Sequence, residues 1–111
     1  MKNLYILALQ ELGETLAEYW DYCVETRDTV STWAEKQGLD VLCVEMDGCF
    51  HPWGWGFHAA IFHDGLIHDL YCPPLSPEEY RRWMFSDPDA VRICYRDGDD
   101  YINLETGEVY E

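Results

Sequence analysis

Two polar residues on a predicted hairpin have the chemistry of a proton-transfer pair. The segments Phe57–His63 and Leu66–Tyr71 flank Asp64-Gly65, a dipeptide favoured in two-residue type I′ turns. With that turn, His58 and Asp69 become diagonal neighbours on one face of the hairpin, roughly 7–8 Å apart along the backbone. An imidazole and a carboxylate can close this gap, and a carboxylate fixes the tautomer of a catalytic histidine.

The third group of such a site is a thiol or hydroxyl that reaches the other ring nitrogen. Cys23 is the best candidate, because it lies on the apolar side of the predicted N-terminal helix that must cover the sheet. Its local charges are unfavourable for a thiolate, since Asp21 and Glu25 flank it and only Arg27 is a nearby cation. In the middle of a continuous helix, Cys23 would instead be an inert core residue.

The order of these residues resembles that of small papain-like and transglutaminase-like cysteine hydrolases, NlpC/P60 relatives and phage-borne domains included. It runs Cys23, a helix, a short strand, Gly48 and then His-Ala-Ala-Ile-Phe-His-Asp-Gly-Leu-Ile-His-Asp from His58 to Asp69, within about residues 20–96. The resemblance implies that Cys23 is the nucleophile, His58 the general base and Asp69 the residue that orients it. The substrate would be a peptide or another amide or acyl compound, and no cofactor is expected. Val24 departs from the pattern, because an aromatic residue is expected after the cysteine.

The first third of the chain is predicted to be helical, because its apolar residues recur close to every 3.6 positions from Tyr5 to Ala34. Gly38 ends this pattern. A break at Gly13, followed by the capping-box sequence Thr15-Leu-Ala-Glu18, leaves open whether there is one helix or two.

The rest of the chain predicts strands and one short helix. Val41–Met46 is an apolar strand that ends at Asp47-Gly48, and Ser76 caps a helix that runs to about Phe85. A second hairpin and a last strand follow, over Ala90–Arg96, Tyr101–Leu104 and Glu108–Tyr110. The predicted fold class is α+β in a single domain, residues 1–111. An N-terminal helix or helix pair packs on a small antiparallel sheet, with one further short helix between two hairpins.

Composition narrows the classes of function. The 111 residues include 22 acidic and 7 basic side chains, which gives a net charge of −15. A basic face for nucleic-acid phosphates or an anionic membrane surface is therefore excluded. The five cysteines are odd in number and lack CxxC spacing, and Leu4–Leu9 is too short for the apolar core of a secretion signal. We therefore expect reduced thiols in a cytoplasmic protein.

A row of acidic residues supports a second hypothesis that needs no catalysis. Six carboxylates recur at spacings of 3 and 4, which would place them along one face of a continuous helix: Glu11, Glu14, Glu18, Asp21, Glu25 and Asp28. Such a row is either a solvated face or a surface that captures a basic, nucleic-acid-binding protein. DNA mimics, anti-CRISPR proteins and immunity proteins act in this second way.

Two further groups of residues have alternative interpretations. Trp53 and Trp55 form either a substrate platform or the closed end of a small core. His63 and His68 share the hairpin face opposite His58, where Cys49 or Cys72 could complete a zinc site. The alternative is that His63 and His68 are strand residues that face solvent. The spacing of the histidines and cysteines matches no recognised zinc motif. We therefore predict no metal site.

Overall fold

The computed structural model describes residues 3–13, 23–50 and 54–110, which form an α+β fold as predicted. The six strands of this part of the chain form one antiparallel sheet in the order β3-β2-β1-β4-β5-β6. Its helices are α1 (Leu4–Leu12), α2 (Cys23–Lys36) and α3 (Pro77–Met84), and its strands are β1 (Leu42–Phe50), β2 (Gly54–His63), β3 (Leu66–His68), β4 (Arg92–Asp97), β5 (Asp100–Asn103) and β6 (Val109–Tyr110).

The first hairpin has the predicted turn and register. Asp64 and Gly65 have φ angles of 52° and 80°, which is the left-handed conformation that a type I′ turn requires at both positions. His63 pairs with Leu66, and the pairing of β2 with β3 continues to His68. The predicted second strand is too long, because the chain leaves the sheet at Asp69, whose carboxylate Oδ1 accepts a hydrogen bond from the N–H of Leu70 at 2.6 Å.

Strand β1 is longer than predicted, and the reason is tertiary packing. Asp47-Gly48 was expected to end the strand, but both residues pair with β2, which starts at Gly54, three residues before the predicted start at Phe57. A Cβ atom on Gly48 would lie 2.9 Å from Val91 Cγ2 and 3.0 Å from Phe85 Cδ1. Glycine at this position therefore allows close packing within a strand and does not form a turn.

Different helices cover the two faces of the first hairpin. Successive residues of a strand point to opposite faces. Ala60 accordingly packs with Tyr80 of α3 in one cluster. Ile61 packs on the other side, with Tyr5 of α1 and Val30 of α2. The hairpin is thus the middle layer between two helical layers.

The helix ends follow the local signals. Ser76 and Glu79 form the predicted capping box at the start of α3. Helix α1 ends before Gly13, so the N-terminal region contains separate helices in place of one continuous helix. The second capping-box prediction, at residues 15–18, lies outside the described ranges. The second hairpin forms from β4 and β5, but its first strand starts later than the predicted Ala90, because a 3-10 turn occupies Pro88–Ala90. The pairing of Asp97 with Asp100 extends both strands by one residue towards the turn.

All five cysteines are free thiols. Within the described ranges, no helix is long and apolar enough to cross a membrane.

Gly48→Ala is expected to lower the free energy of unfolding by about 1–3 kcal/mol, because the added methyl group overpacks the contact with Val91 and Phe85. Urea denaturation would measure this loss. Val91→Ala removes the nearest methyl group, so the double variant should lose less than the sum of the two single losses. Strict additivity would contradict the packing explanation.

Candidate active site

The structure brings Cys23, His58 and Asp69 together at one edge of the sheet. β3 pairs with β2 only at residues 61–63, so it does not cover the outer edge of β2 at His58 and Ala59. Cys23, the first residue of α2, occupies this edge and bonds to both residues. Asp69 approaches from the end of β3, directly after His68.

His58 and Asp69 form a direct contact. The His58 Nε2 atom lies 2.7 Å from Asp69 Oδ2, and the side chains are 12% and 1% exposed. The hydroxyl of Tyr80 on α3 donates a hydrogen bond to the same carboxylate oxygen. Burial raises the pKa of Tyr80 well above its ordinary value, and the negative charge of Asp69 adds to this shift. The hydroxyl therefore stays a neutral donor. Because Leu70 N–H bonds the other oxygen, the buried carboxylate has a partner on each side.

The Cys23 thiol is placed to ionise. It forms a hydrogen bond with His58, and this bond is the main cause that lowers its pKa. Burial opposes the shift, whereas the charge of His58 and the N–H groups of Ala59 and Val24 favour the thiolate. Asp69 occupies Nε2 of the imidazole, so Nδ1 is the ring nitrogen left for the sulfur.

His58 is stabilised in its charged form. Burial is the largest single influence on its pKa and lowers it. The hydrogen bonds with Asp69 and Cys23, together with their negative charges, outweigh burial and raise the pKa to about 9. Both shifts favour the thiolate of Cys23 together with the imidazolium of His58, the combination that makes a cysteine nucleophilic.

Three residues that support the site were missed in the sequence. Tyr80 is one, and its only sequence signal is an apolar position on the inner face of α3. Asn3 caps α1, and its Nδ2 also donates to the carbonyl oxygens of Asp69, at 2.5 Å, and Cys72, at 3.1 Å. The ring of Tyr71, 47% exposed, lies 5.7 Å from the imidazole of His58 between centroids. The signal for Tyr71 is the Asp64-Gly65 turn, since the register that it sets places Tyr71 on the same face as His58.

The acidic row does not lie along one helix, because Glu11 belongs to α1 whereas Glu25 and Asp28 belong to α2. Glu11 accepts a hydrogen bond from Trp33 Nε1 at 2.5 Å, and Asp28 pairs with Arg27 at 3.0 Å. The other three members lie outside the described residues: Glu14, Glu18 and Asp21.

The proposed tryptophan platform is only partly described. Trp53 lies outside the described residues, and the backbone of Trp55 pairs with Cys49 in β1.

The histidines of the opposite hairpin face do not form a metal cluster. Among the described residues, no group of three or more potential ligands is suitably placed. His63 Nδ1 lies 2.7 Å from the carbonyl oxygen of Asp40. The alternative that His68 faces solvent is also wrong. It is fully buried beneath α1, and its Nδ1 accepts the N–H of Leu4 at 3.1 Å. Burial, with a smaller contribution from the charge of His63, lowers the pKa of His68 to about 4.

Comparisons with protein families, with curated proteins and with solved structures found no match to this chain. The site is therefore interpreted from its own geometry.

Asp69→Asn is expected to lower the pKa of His58 from about 9, because both the charge and the hydrogen bond of the carboxylate raise it. NMR titration of the histidine ring would measure the shift. Asp64→Asn is a matched control, since it removes the same charge from the exposed turn of the same hairpin. An equal shift in both variants would contradict a direct role for Asp69.

Acid is expected to destabilise the protein through His68. Its folded pKa of about 4 lies below the ordinary value of 6.5, so the unfolded chain takes up the proton first. This contribution to stability is complete above 6.5 and is lost as the pH falls towards 4, with a total of roughly 3 kcal/mol. His68→Asn should remove this pH dependence, as measured by urea denaturation across this range. His63→Asn should retain most of it, and equal behaviour of the two variants would contradict the assignment.

Proposed function

We propose that this protein is a papain-like or transglutaminase-like cysteine hydrolase or acyltransferase that acts on an amide or acyl bond. The observation that carries the proposal is the position of His58, which bonds the Cys23 thiol and the buried carboxylate of Asp69 at the same time. A structural histidine needs only one such partner. A nucleophile, a base and an orienting carboxylate in series are the components of covalent acyl transfer.

The first half of the reaction forms a thioester. The Cys23 thiolate attacks the carbonyl carbon of the substrate and a C–S bond forms. When the tetrahedral intermediate collapses, the C–N or C–O bond to the leaving group breaks, and the imidazolium of His58 donates its proton to that group. Asp69 keeps the ring oriented and stabilises its charge throughout this step.

The second half regenerates the thiolate. Neutral His58 removes a proton from water, or from an amine in a transferase, and this nucleophile attacks the thioester carbonyl. The C–S bond breaks and returns its electron pair to the sulfur, so Cys23 and His58 become an ion pair again. No redox step is involved.

The site supports this function better than it supports capture of a basic protein. Of the three described carboxylates in the acidic row, Glu11 and Asp28 already bind groups of the same chain. These residues therefore present fewer unpaired carboxylates to a basic partner than six carboxylates along one continuous helix would. A thiol within a buried hydrogen-bonded chain has a specific chemical use, whereas acidic residues on a surface also serve solubility.

Cys23 is expected to react with iodoacetamide at neutral pH at least about tenfold faster than Cys94, because each unit of pKa changes the thiolate fraction tenfold. Cys94 is an internal control: it is partly buried like Cys23, but burial and the charges of Glu45 and Asp47 raise its pKa. Mass mapping of labelled peptides across a pH series would give both rates.

His58→Ala should slow the labelling of Cys23 and move its pH midpoint upward, because the main cause of the lowered pKa is removed. His63→Ala, which changes a histidine of the same strand, should leave both unchanged. A Cys23 that is labelled only after unfolding would overturn the proposed function.

A further inference from the structure

A groove lies on the face of the sheet that Ala59 shares with its cross-strand partner Glu45 and with Phe57. Ala59, whose N–H bonds the Cys23 sulfur, pairs directly with Glu45 of β1. Phe57 lies two residues before Ala59 in the same strand, so it is on the same face, roughly 6.5–7 Å away. Glu45 and Phe57 both line a groove of about 340 Å³, whose other walls include Asp47, Arg92, Tyr101 and Tyr110.

The groove combines exposed aromatic rings with carboxylates. Phe57 and Tyr101 are 53% and 41% exposed, although both are large apolar side chains. Two of its rings already hold guanidinium groups of the chain, since Arg92 lies 5.3 Å from the ring centroid of Tyr110 and Arg96 the same distance from Tyr101. Aromatic faces of this kind attract cations.

The two carboxylates of the groove differ in how they are used. Glu45 Oε1 lies 3.4 Å from the buried guanidinium of Arg27, so its charge is partly neutralised. Asp47 is exposed and, among the described residues, takes part in no ion pair or side-chain hydrogen bond. It is the direct cross-strand partner of Phe57 on β2 and of Arg92 on β4, and the guanidinium of Arg92 lies over the ring of Tyr110. A free carboxylate beside a free aromatic ring matches a cationic side chain, which can pair with one and stack on the other.

We propose that this groove binds the substrate of the cysteine site, and that the substrate is a peptide with an arginine or lysine side chain that lies between Asp47 and Phe57. The proposal rests on the proposed function, because it assigns the groove to the reaction at Cys23. The net charge of −15 favours the approach of a basic peptide.

The test uses thiol-reactive peptidyl acyloxymethyl ketones that differ only in one side chain: arginine, norleucine or glutamate. The side chain is varied next to the ketone and, in a second series, one residue further away. The arginine probe should label Cys23 roughly tenfold faster than the norleucine probe, as expected of one exposed charge pair combined with ring stacking. The glutamate probe should be the slowest.

Variants of Asp47 test whether this carboxylate causes the preference for arginine. Asp47→Asn should abolish the preference for arginine over norleucine, and Asp47→Lys should reverse the order of arginine and glutamate. Both should leave the iodoacetamide rate at Cys23 unchanged, because this reagent is too small to occupy the groove. Asp99→Asn is the matched control, since it removes one exposed carboxylate from the β4–β5 turn and should keep the preference.

Failure of the two proposals can be told apart. Fast iodoacetamide labelling with equal arginine and norleucine rates overturns the groove assignment and leaves the proposed function standing. A Cys23 that iodoacetamide does not label overturns the proposed function and, with it, the substrate role. Binding is checked separately by NMR of Cys23→Ala with acetyl-Gly-Arg-Gly-amide. The matched peptide has norleucine in place of arginine. Chemical-shift changes at Asp47, Phe57 and Tyr101 with the arginine peptide alone support the groove, and their absence overturns it.

Discussion

The buried carboxylate of Asp69 is the constraint on which the rest of the site depends. A charge that is only 1% exposed is costly unless it is paired and hydrogen-bonded. Its partners come from elements far apart in the chain: His58 from β2 and Tyr80 from α3, while Asn3 at the start of α1 binds its main-chain carbonyl. Satisfying one residue therefore joins the first helix, the hairpin and the third helix.

Stability alone does not explain a carboxylate at this position. Replacement of a buried ion pair by apolar side chains of similar volume is often neutral or stabilising. Asp69 nevertheless lies beside a histidine whose pKa is raised to about 9 and which in turn bonds a thiol. Strongly perturbed titratable groups in contact are characteristic of functional sites. The simplest physical reason for the buried charge is that it supports the proton affinity of His58.

Local sequence signals were sufficient to predict the first hairpin but not the elements that pack around it. Asp64-Gly65 determines both the turn and the register, so the approach of His58 to Asp69 could be predicted from the sequence. The extent of β1 could not be predicted in this way. Asp47-Gly48 is typical of a turn, and only the tertiary contact of Gly48 with Val91 and Phe85 explains why a glycine lies within the strand. The role of Tyr80 depends on where α3 packs, which periodicity does not specify.

The position of Cys23 shows how tertiary contacts can reverse a local electrostatic argument. In the sequence, Arg27 is the only nearby cation and acidic neighbours oppose a thiolate. In the structure, the Arg27 guanidinium points to Glu45, Asp28 and the carbonyl oxygen of Val44, and the charge that favours the thiolate comes from His58. Because His58 owes its charge partly to Asp69, a carboxylate 46 positions along the chain from Cys23 acts on the thiol through the imidazole.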